Sequence, residues 1–384
     1  MRGRQEAVTY RPGPFASRRR LLADEPFTDT DNAEVDGMTG IGSGAFAAKG
    51  ILSDRMGLRE GWVTAQDGRI TGIGTGDCPV EPDVGGFILA DTVNMHTHCA
   101  DYGLSVPPGI SLSDLVAPPD GLKHRYLRET PASILERDMA RFGNDSRRNG
   151  SRTFADFREG GAEGCRMLRR SVLDAVILGR PLSPEFDPEE IDSILETADG
   201  IGISSISDMD RGYIERIADE VRERRMIFAI HASERIREDI DFILSLDPAF
   251  VVHMCEATDS DIVKCAEAEV PIVLCPTSNA YFGKTSPAAR ALSLGADIAL
   301  GTDNGMLCRP DMVSEASVLY DVLKDQGGGP CQALRALTRV SGKILNAVRT
   351  HQVSTGPGPV TVLPSQNMDV GEALRNGGQR TSLE

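Results

Sequence analysis

The segment NMHTHCADYG, residues 94–103, places His96 and His98 one residue apart, directly after the apolar run GFILADTV. On an extended strand, side chains two apart share a face. The two imidazoles therefore stand side by side at a strand's exit, an arrangement suited to a metal. An isolated H-x-H is also an ordinary pair of polar loop residues, so the rest of the chain must decide. Of six histidines, His231 ends the run MIFAIHASE and His253 lies in AFVVHMCEAT; only His124 and His351 fall away from strand ends. A carboxylate, Asp303, ends IALGTDN. Three imidazoles and one carboxylate suit a single divalent ion, zinc or ferrous iron, with a position left for water.

Such a site needs an architecture that brings four strand ends, with their five side chains, together. Eight short apolar runs recur from residue 86 onward: GFILADTVNMH, TFADFRE, AVILGRP, GIGISSI, MIFAIHAS, AFVVHMCE, VPIVLCPTS and DIALGTDN. After the second, they follow one another at roughly two dozen residues, the length of one βα unit in a closed barrel. Between them lie amphipathic stretches such as RGYIERIADEVRERR, where Ile214, Ile217 and Val221 recur at helical spacing. Runs this apolar suit parallel strands buried on both faces. The expectation is a (β/α)8 TIM-type barrel, whose strand ends all face one mouth; an open doubly wound sheet is the competing architecture. Two segments fall outside it. Residues 42–87, with GWVTAQDGRITGIG, read as short strands with an Asp-Gly turn, and the tail at 353–384 carries GPVTVLP. These two ends are expected to form one small β-domain flanking a barrel at 88–352, with residues 1–41 disordered and Met38 an alternative start. The connection from Asp101 to about Pro131 is long enough to crown the catalytic face.

Composition excludes several roles. The formal net charge of −16 argues against nucleic acid or an anionic membrane as partner. No apolar stretch reaches the length needed to cross a bilayer, and LLADEPFTDT follows Arg18–Arg20 where a signal peptide would have an apolar core. Eight scattered cysteines without a C-x-x-C pair read as reduced thiols in a cytoplasmic protein. Arginine far outnumbers lysine, which fits a salt-rich cytoplasm that screens surface carboxylates; high-GC codon usage would favour arginine as well. GIGSGAFAAKG loosely matches a dinucleotide-binding loop, but no strong strand precedes it.

In order, NMHTH, IHASE, VVHMCEAT, CPTSN and LGTDN resemble the amidohydrolase superfamily, and within it the branch of cytosine, guanine and S-adenosylhomocysteine deaminases and s-triazine hydrolases. ISLSDLVAPPDGLKHRYL, TFADFREGG and GIGISSISD resemble archaeal members of that branch. The resemblance implies that His96, His98, His231 and Asp303 bind one catalytic metal, that His253 contacts the attacking water or the substrate, and that Glu234 shuttles a proton. It implies that Ser278 and Asn279 shape the pocket. The tail departs from the branch, offering GPGPVTVLP where a G-x-x-A-D-L signature is usual. Some relatives bridge two metals with a carboxylated lysine, but between His98 and His231 the only lysine is Lys123, in the long first loop. One metal is the reading.

The chemistry implied is attack of metal-bound hydroxide on a C–N centre, with loss of ammonia from an aminated N-heterocycle and Asp303 as both ligand and base. Glu234 has a bland alternative as a first-turn acid favoured by a helix dipole. Amide or halide hydrolysis on the same site is the competing activity, and a non-catalytic ligand-binding barrel the competing class. The expected partner is a small heterocyclic substrate, with a homo-oligomer left open. Lys123, His124, Arg158 and Glu159 are placed on the mouth, where a cation could receive a carboxylate or phosphate of the substrate, or instead pair with neighbouring acids such as Asp101 or Glu159. Tyr102, Phe157 and Tyr281 are candidates to stack on a flat ring.

Overall fold

The computed structural model describes residues 44–54, 56–90, 92–116, 120–348, 359–377 and 380–383; the expected disordered head, Met38 and His351 lie outside them. Fifteen strands occur among these residues. They are β1 (Ala45–Asp54), β2 (Gly57–Gln66), β3 (Arg69–Gly74), β4 (Val84–Ala90), β5 (Val93–His98), β6 (Thr153–Arg158), β7 (Ala175–Gly179) and β8 (Gly200–Ile203). Then come β9 (Ile227–Ala232), β10 (Phe250–His253), β11 (Ile272–Leu274), β12 (Ile298–Leu300), β13 (Asp303–Asn304), β14 (Val360–Pro364) and β15 (Thr381–Leu383).

Strands β5 to β13 form one parallel sheet in the order β12-β11-β10-β9-β8-β7-β6-β5-β13. Its two ends are one piece of chain. β12 pairs with β11, β13 pairs with β5, and only Gly301 and Thr302 separate them. The eighth strand therefore breaks in the middle and closes the sheet into a barrel. Gly301 makes the break possible: a Cβ there would lie 2.6 Å from the His96 Cβ and 2.7 Å from its backbone nitrogen. Asn94 staples the seam, its Nδ2 donating to Thr302 Oγ1 at 2.7 Å and its Oδ1 accepting the Thr302 N–H at 2.9 Å.

Alternation along the strands sorts the side chains. Met95, Phe157, Leu178, Ala229, Val252 and Val273 fill the barrel interior, with Val340 and Ile344 of the helix Pro330–Val348 packed against them. Neighbouring positions, such as Phe154, Ile177, Ile201, Phe228 and Val251, join the layer beneath the outer helices. Burial on both faces explains why the strands read as unbroken apolar runs. The helix Arg211–Glu223 buries Ile214, Ile217 and Val221, as their spacing requires. Aspartates 187, 210, 239 and 311 cap helix N-termini by accepting first-turn N–H groups, which accounts for part of the negative charge.

β1–β4, β14 and β15 form a second sheet, order β15-β14-β4-β1-β2-β3, joining the two chain ends. Asp67 and Gly68 both take positive φ, 53° and 78°, the pattern of the two-residue hairpin turn joining β2 to β3. One expectation needs correction. The run GFILADTVNMH is two strands in two sheets: GFILA completes β4, and VNMHTH is β5. Both are buried, so hydropathy does not distinguish them. Among the described residues, no helix is long and apolar enough to cross a membrane.

Candidate metal centre and cleft

The strand ends meet at one mouth. The ring of His96 lies 5.0 Å from that of His98, 4.7 Å from His231 and 5.6 Å from His253, centroid to centroid. One ligand atom from each of His96, His98 and His231 lies within 4.8 Å of the others, and the same holds for His96, His253 and Asp303. Asp303 Oδ1 sits 3.2 Å from His96 Nε2 and 3.5 Å from His98 Nε2. Phe157 lies under the group, its ring 4.5 Å from His96 and 4.9 Å from His231. The cluster thus has a dry apolar floor and opens to one side.

The neighbours of each ring determine which nitrogen carries hydrogen. A carbonyl oxygen can only accept. His231 Nδ1 faces the carbonyl of Ile203 at 2.9 Å, and His98 Nδ1 faces that of Phe157 at 3.1 Å and Glu159 Oε1 at 3.0 Å. Both Nδ1 atoms are therefore protonated, and both Nε2 atoms offer a bare lone pair to the centre. His253 is the reverse. Its Nδ1 accepts from Asn279 Nδ2 at 3.1 Å, and Asn279 is oriented by the Ser286 hydroxyl donating to its Oδ1 at 2.8 Å. Nε2 of His253 therefore carries a hydrogen, pointing past Glu234 Oε1 at 4.0 Å. Two of these histidines are set up to bind a cation and the third to donate.

His96 makes the strongest case for a cation at this centre. Both of its ring nitrogens are buried without a hydrogen-bond partner, and the 3.2 Å approach to Asp303 lacks hydrogen-bond geometry. Burial and the neighbouring histidines hold His231 well below the usual imidazole range, and burial brings His96 down to about 3. These rings are neutral at pH 7, the form that ligates. Burial pushes the Asp303 carboxyl up, but the surrounding histidines, His96 foremost, hold it well below the ordinary carboxylate range. A carboxylate facing neutral, unpartnered imidazoles fits a divalent ion. Local backbone conformation is also unusual here: His253, Asp303 and Ser233 have φ of 76°, 62° and 48°, a left-handed region that costs non-glycine residues free energy.

Around this centre lies a cleft that opens to solvent. Lys123, His124, Glu159 and Glu234 line it, together with His98, His231, His253 and Asp303. Ser278 and Asn279 are buried behind it. Ser278 Oγ donates to Asp303 Oδ2 at 2.6 Å, leaving Oδ1 to the histidines. Lys123 is buried, its Nζ 2.8 Å from Glu159 Oε1, 3.5 Å from Asp101 Oδ2 and 3.1 Å from Asn304 Oδ1. Its charge is already matched.

Several expected substrate contacts are not on the cleft wall. Arg158 is buried between Asp156 and Glu159, at 3.3 and 2.5 Å, because β6 delivers its side chain into the charged layer behind β5. Tyr102 turns inward, its hydroxyl donating to Asp145 at 2.7 Å and its ring packing edge-on to Phe142. Phe157 is floor, and Tyr281 packs against Phe282. Residues that sequence reasoning did not single out also line the cleft: Arg180, Ser204, Ser205, Asp208, Arg235 and Asn304. The available signal was position, since Arg180 and Ser204 immediately follow β7 and β8, where a barrel places its mouth.

Comparison with known proteins follows this geometry. Residues 86–348 match the amidohydrolase family. A protein of Methanocaldococcus jannaschii is 30% identical over 325 residues, covering 78% of this chain and 84% of that one. A guanine deaminase of C. acetobutylicum, solved with guanine in its active site, is similar in fold with a TM-score of 0.65 at 14% identity, over 87% of this chain and 95% of that one. A Xanthomonas campestris adenosine deaminase solved with bound zinc has a TM-score of 0.63 at 15% identity, over 85% and 86%.

Proposed function

We propose that this chain, which belongs to the amidohydrolase family, is a metal-dependent hydrolase of C–N bonds that deaminates an aminated N-heterocycle. The observation that carries the reading is the division of labour among the histidines. His98 and His231 are held in the tautomer that ligates, and His253 in the tautomer that donates. A non-catalytic metal centre would have no need of the donor.

His96, His98, His231 and Asp303 would hold one divalent cation, zinc or ferrous iron. When bound, such an ion supplies a water acidic enough to ionise near neutral pH. A second, lysine-bridged ion has no support, because Lys123 is tied to Glu159 and Asn304. Asp303 accepts the proton of the attacking water on Oδ1, since Oδ2 is occupied by Ser278. His253 donates from Nε2 to the oxygen on which charge develops as the ring carbon becomes tetrahedral. Glu234, partly exposed on the rim, carries one proton of the attacking water to the ring nitrogen, and the proton taken up by Asp303 leaves with the amine as ammonia.

The deaminases named above support a heterocycle only as a starting point, because their likeness to this chain is one of fold. The test is ammonia release by metal-loaded protein from a panel of aminated purines, pyrimidines, pterins and triazines. The reading expects turnover on at least one, and loss of at least a hundredfold in Glu234→Gln with metal content unchanged. Cleavage of amides or halides from the same panel, without ammonia, would replace it.

A further inference from the structure

Outside the histidine cluster, four cleft residues can carry positive charge: Lys123, His124, Arg180 and Arg235. Three of them are committed. Lys123 is buried against Glu159 and Asp101. Arg235 is paired with Asp208 on the rim. His124 faces the Val116 carbonyl with its Nε2 at 3.1 Å, and burial and the charge of Lys123 lower its pKa further below neutrality. Arg180 differs. Among the described residues no carboxylate pairs with it; its guanidinium meets a neutral partner, with Nη2 donating to Ser204 Oγ at 3.0 Å. It is partly buried on the cleft wall, in a chain of net charge −16.

Topology places this cation opposite the chemistry. The would-be ligands and the donor come from β5, β9, β10 and β13, while β6, β7 and β8 close the other side of the ring of strands. Arg180 leaves β7 and Ser204 leaves β8, so their contact bridges two neighbouring strand exits there. Ser204 directly follows Ile203, whose carbonyl orients His231, so the guanidinium is braced by the same strand end that sets a ligand. The same cleft joins this sector to the histidine cluster, so a substrate with its reacting carbon at the cluster has room to reach Arg180.

We propose that Arg180, braced by Ser204, recognises a carboxylate on the substrate, so that the ring to be deaminated carries one negative charge. The proposal takes its ring from the deaminase reading, but its anion from Arg180 alone. A carboxylate fits better than a phosphomonoester, because one guanidinium brings one charge to a mouth that also holds Glu159, Asp208, Glu234 and Asp303. Ser204 takes one of the two Nη2 hydrogens, so the other Nη2 hydrogen still forms a bidentate edge for a carboxylate, with Nε on one side or Nη1 on the other.

The test measures binding to zinc-loaded protein by calorimetry with matched pairs: pterin and pterin-6-carboxylate, cytosine and 5-carboxycytosine, 9-ethyladenine and 9-(carboxymethyl)adenine. The proposal expects at least one carboxylated mate to bind tenfold or more tightly than its partner, with the methyl ester behaving as the uncharged ring. Arg180→Ala should bring that ratio within twofold, Arg180→Lys should keep part of it, and Ser204→Ala should reduce it. Ratios within threefold for every pair, or a preference that survives Arg180→Ala, would overturn it. So would a larger preference for cytidine 5′-monophosphate over cytidine. The wild-type ratios decide even if a variant does not fold. Ammonia is followed in the same samples: a carboxylate preference without ammonia keeps Arg180 as an anion receptor and removes the deaminase reading, whereas ammonia without the preference does the reverse.

Discussion

Glu159 is the most informative single side chain to perturb, because it touches both His98, a would-be metal ligand, and the charged groups behind it. Its Oε1 lies 3.0 Å from His98 Nδ1 and 2.8 Å from Lys123 Nζ, and its Oε2 accepts from Arg158 at 2.5 Å. Glu159→Gln keeps the shape and removes the charge. At 2.8 Å and an effective dielectric near 20, the attraction to Lys123 is about 6 kcal/mol before desolvation. Breaking such a buried pair costs about 3–5 kcal/mol net. The low end applies, because Lys123 keeps Asp101 and Asn304, and Arg158 keeps Asp156 at 3.3 Å. Urea unfolding of the metal-free variant should therefore show a loss of about 3 kcal/mol. Removing the partner of a metal-ligating histidine costs about 10–100-fold in metal affinity. The Phe157 carbonyl still fixes the His98 tautomer, so about tenfold is expected. Competition with a fluorescent zinc chelator measures it. In the double variant with Lys123→Met, part of the lost stability should return while the affinity loss remains. A folded Glu159→Gln protein with zinc affinity within threefold of wild type would refute the argument that Glu159 tunes His98.

Ser278→Ala removes the donor 2.6 Å from Asp303 Oδ2, a hydrogen bond that favours the charged carboxylate. The acid limb of the kcat/KM profile should move to higher pH, and an unmoved limb would separate Ser278 from the catalytic carboxylate. Glu315 is buried, accepts the Thr277 N–H at 2.9 Å, and is pushed by burial from 4.5 up to about 7. Its folded pKa exceeds its unfolded one, so its contribution to stability is full below 4.5 and is lost as pH rises through 7. Wild type should therefore lose about 3 kcal/mol more than Glu315→Gln between pH 4.5 and 8 in urea melts. Parallel curves for the two proteins would contradict this.

Much of the barrel and the centre could be read from the sequence because each depends on local pattern. Apolar runs at βα spacing gave strand positions, and strand ends gave the mouth. What escaped depended on contacts between distant residues. From the sequence, Lys123 stands open between a substrate anion and the acids Asp101 and Glu159; the structure gives it the acids, and its third contact, Asn304, lies 181 positions away where no local pattern shows it. Arg158 is expected on the mouth because it ends a strand, but its neighbours Asp156 and Glu159 draw it inward. Arg180, one residue past the next strand, lines the cleft instead. The tautomers of His98 and His231 depend on backbone carbonyls of neighbouring strands, which carry no side-chain signal. The break at Gly301 and the division of GFILADTVNMH between sheets are likewise invisible to hydropathy.

The most direct measurement is the metal content of the folded protein, by plasma mass spectrometry after zinc loading and exhaustive dialysis. The account predicts one equivalent per chain in wild type, retention in His253→Gln, and loss in His231→Ala and in Asp303→Ala. No bound metal in wild type, or full retention after His231→Ala, would contradict it.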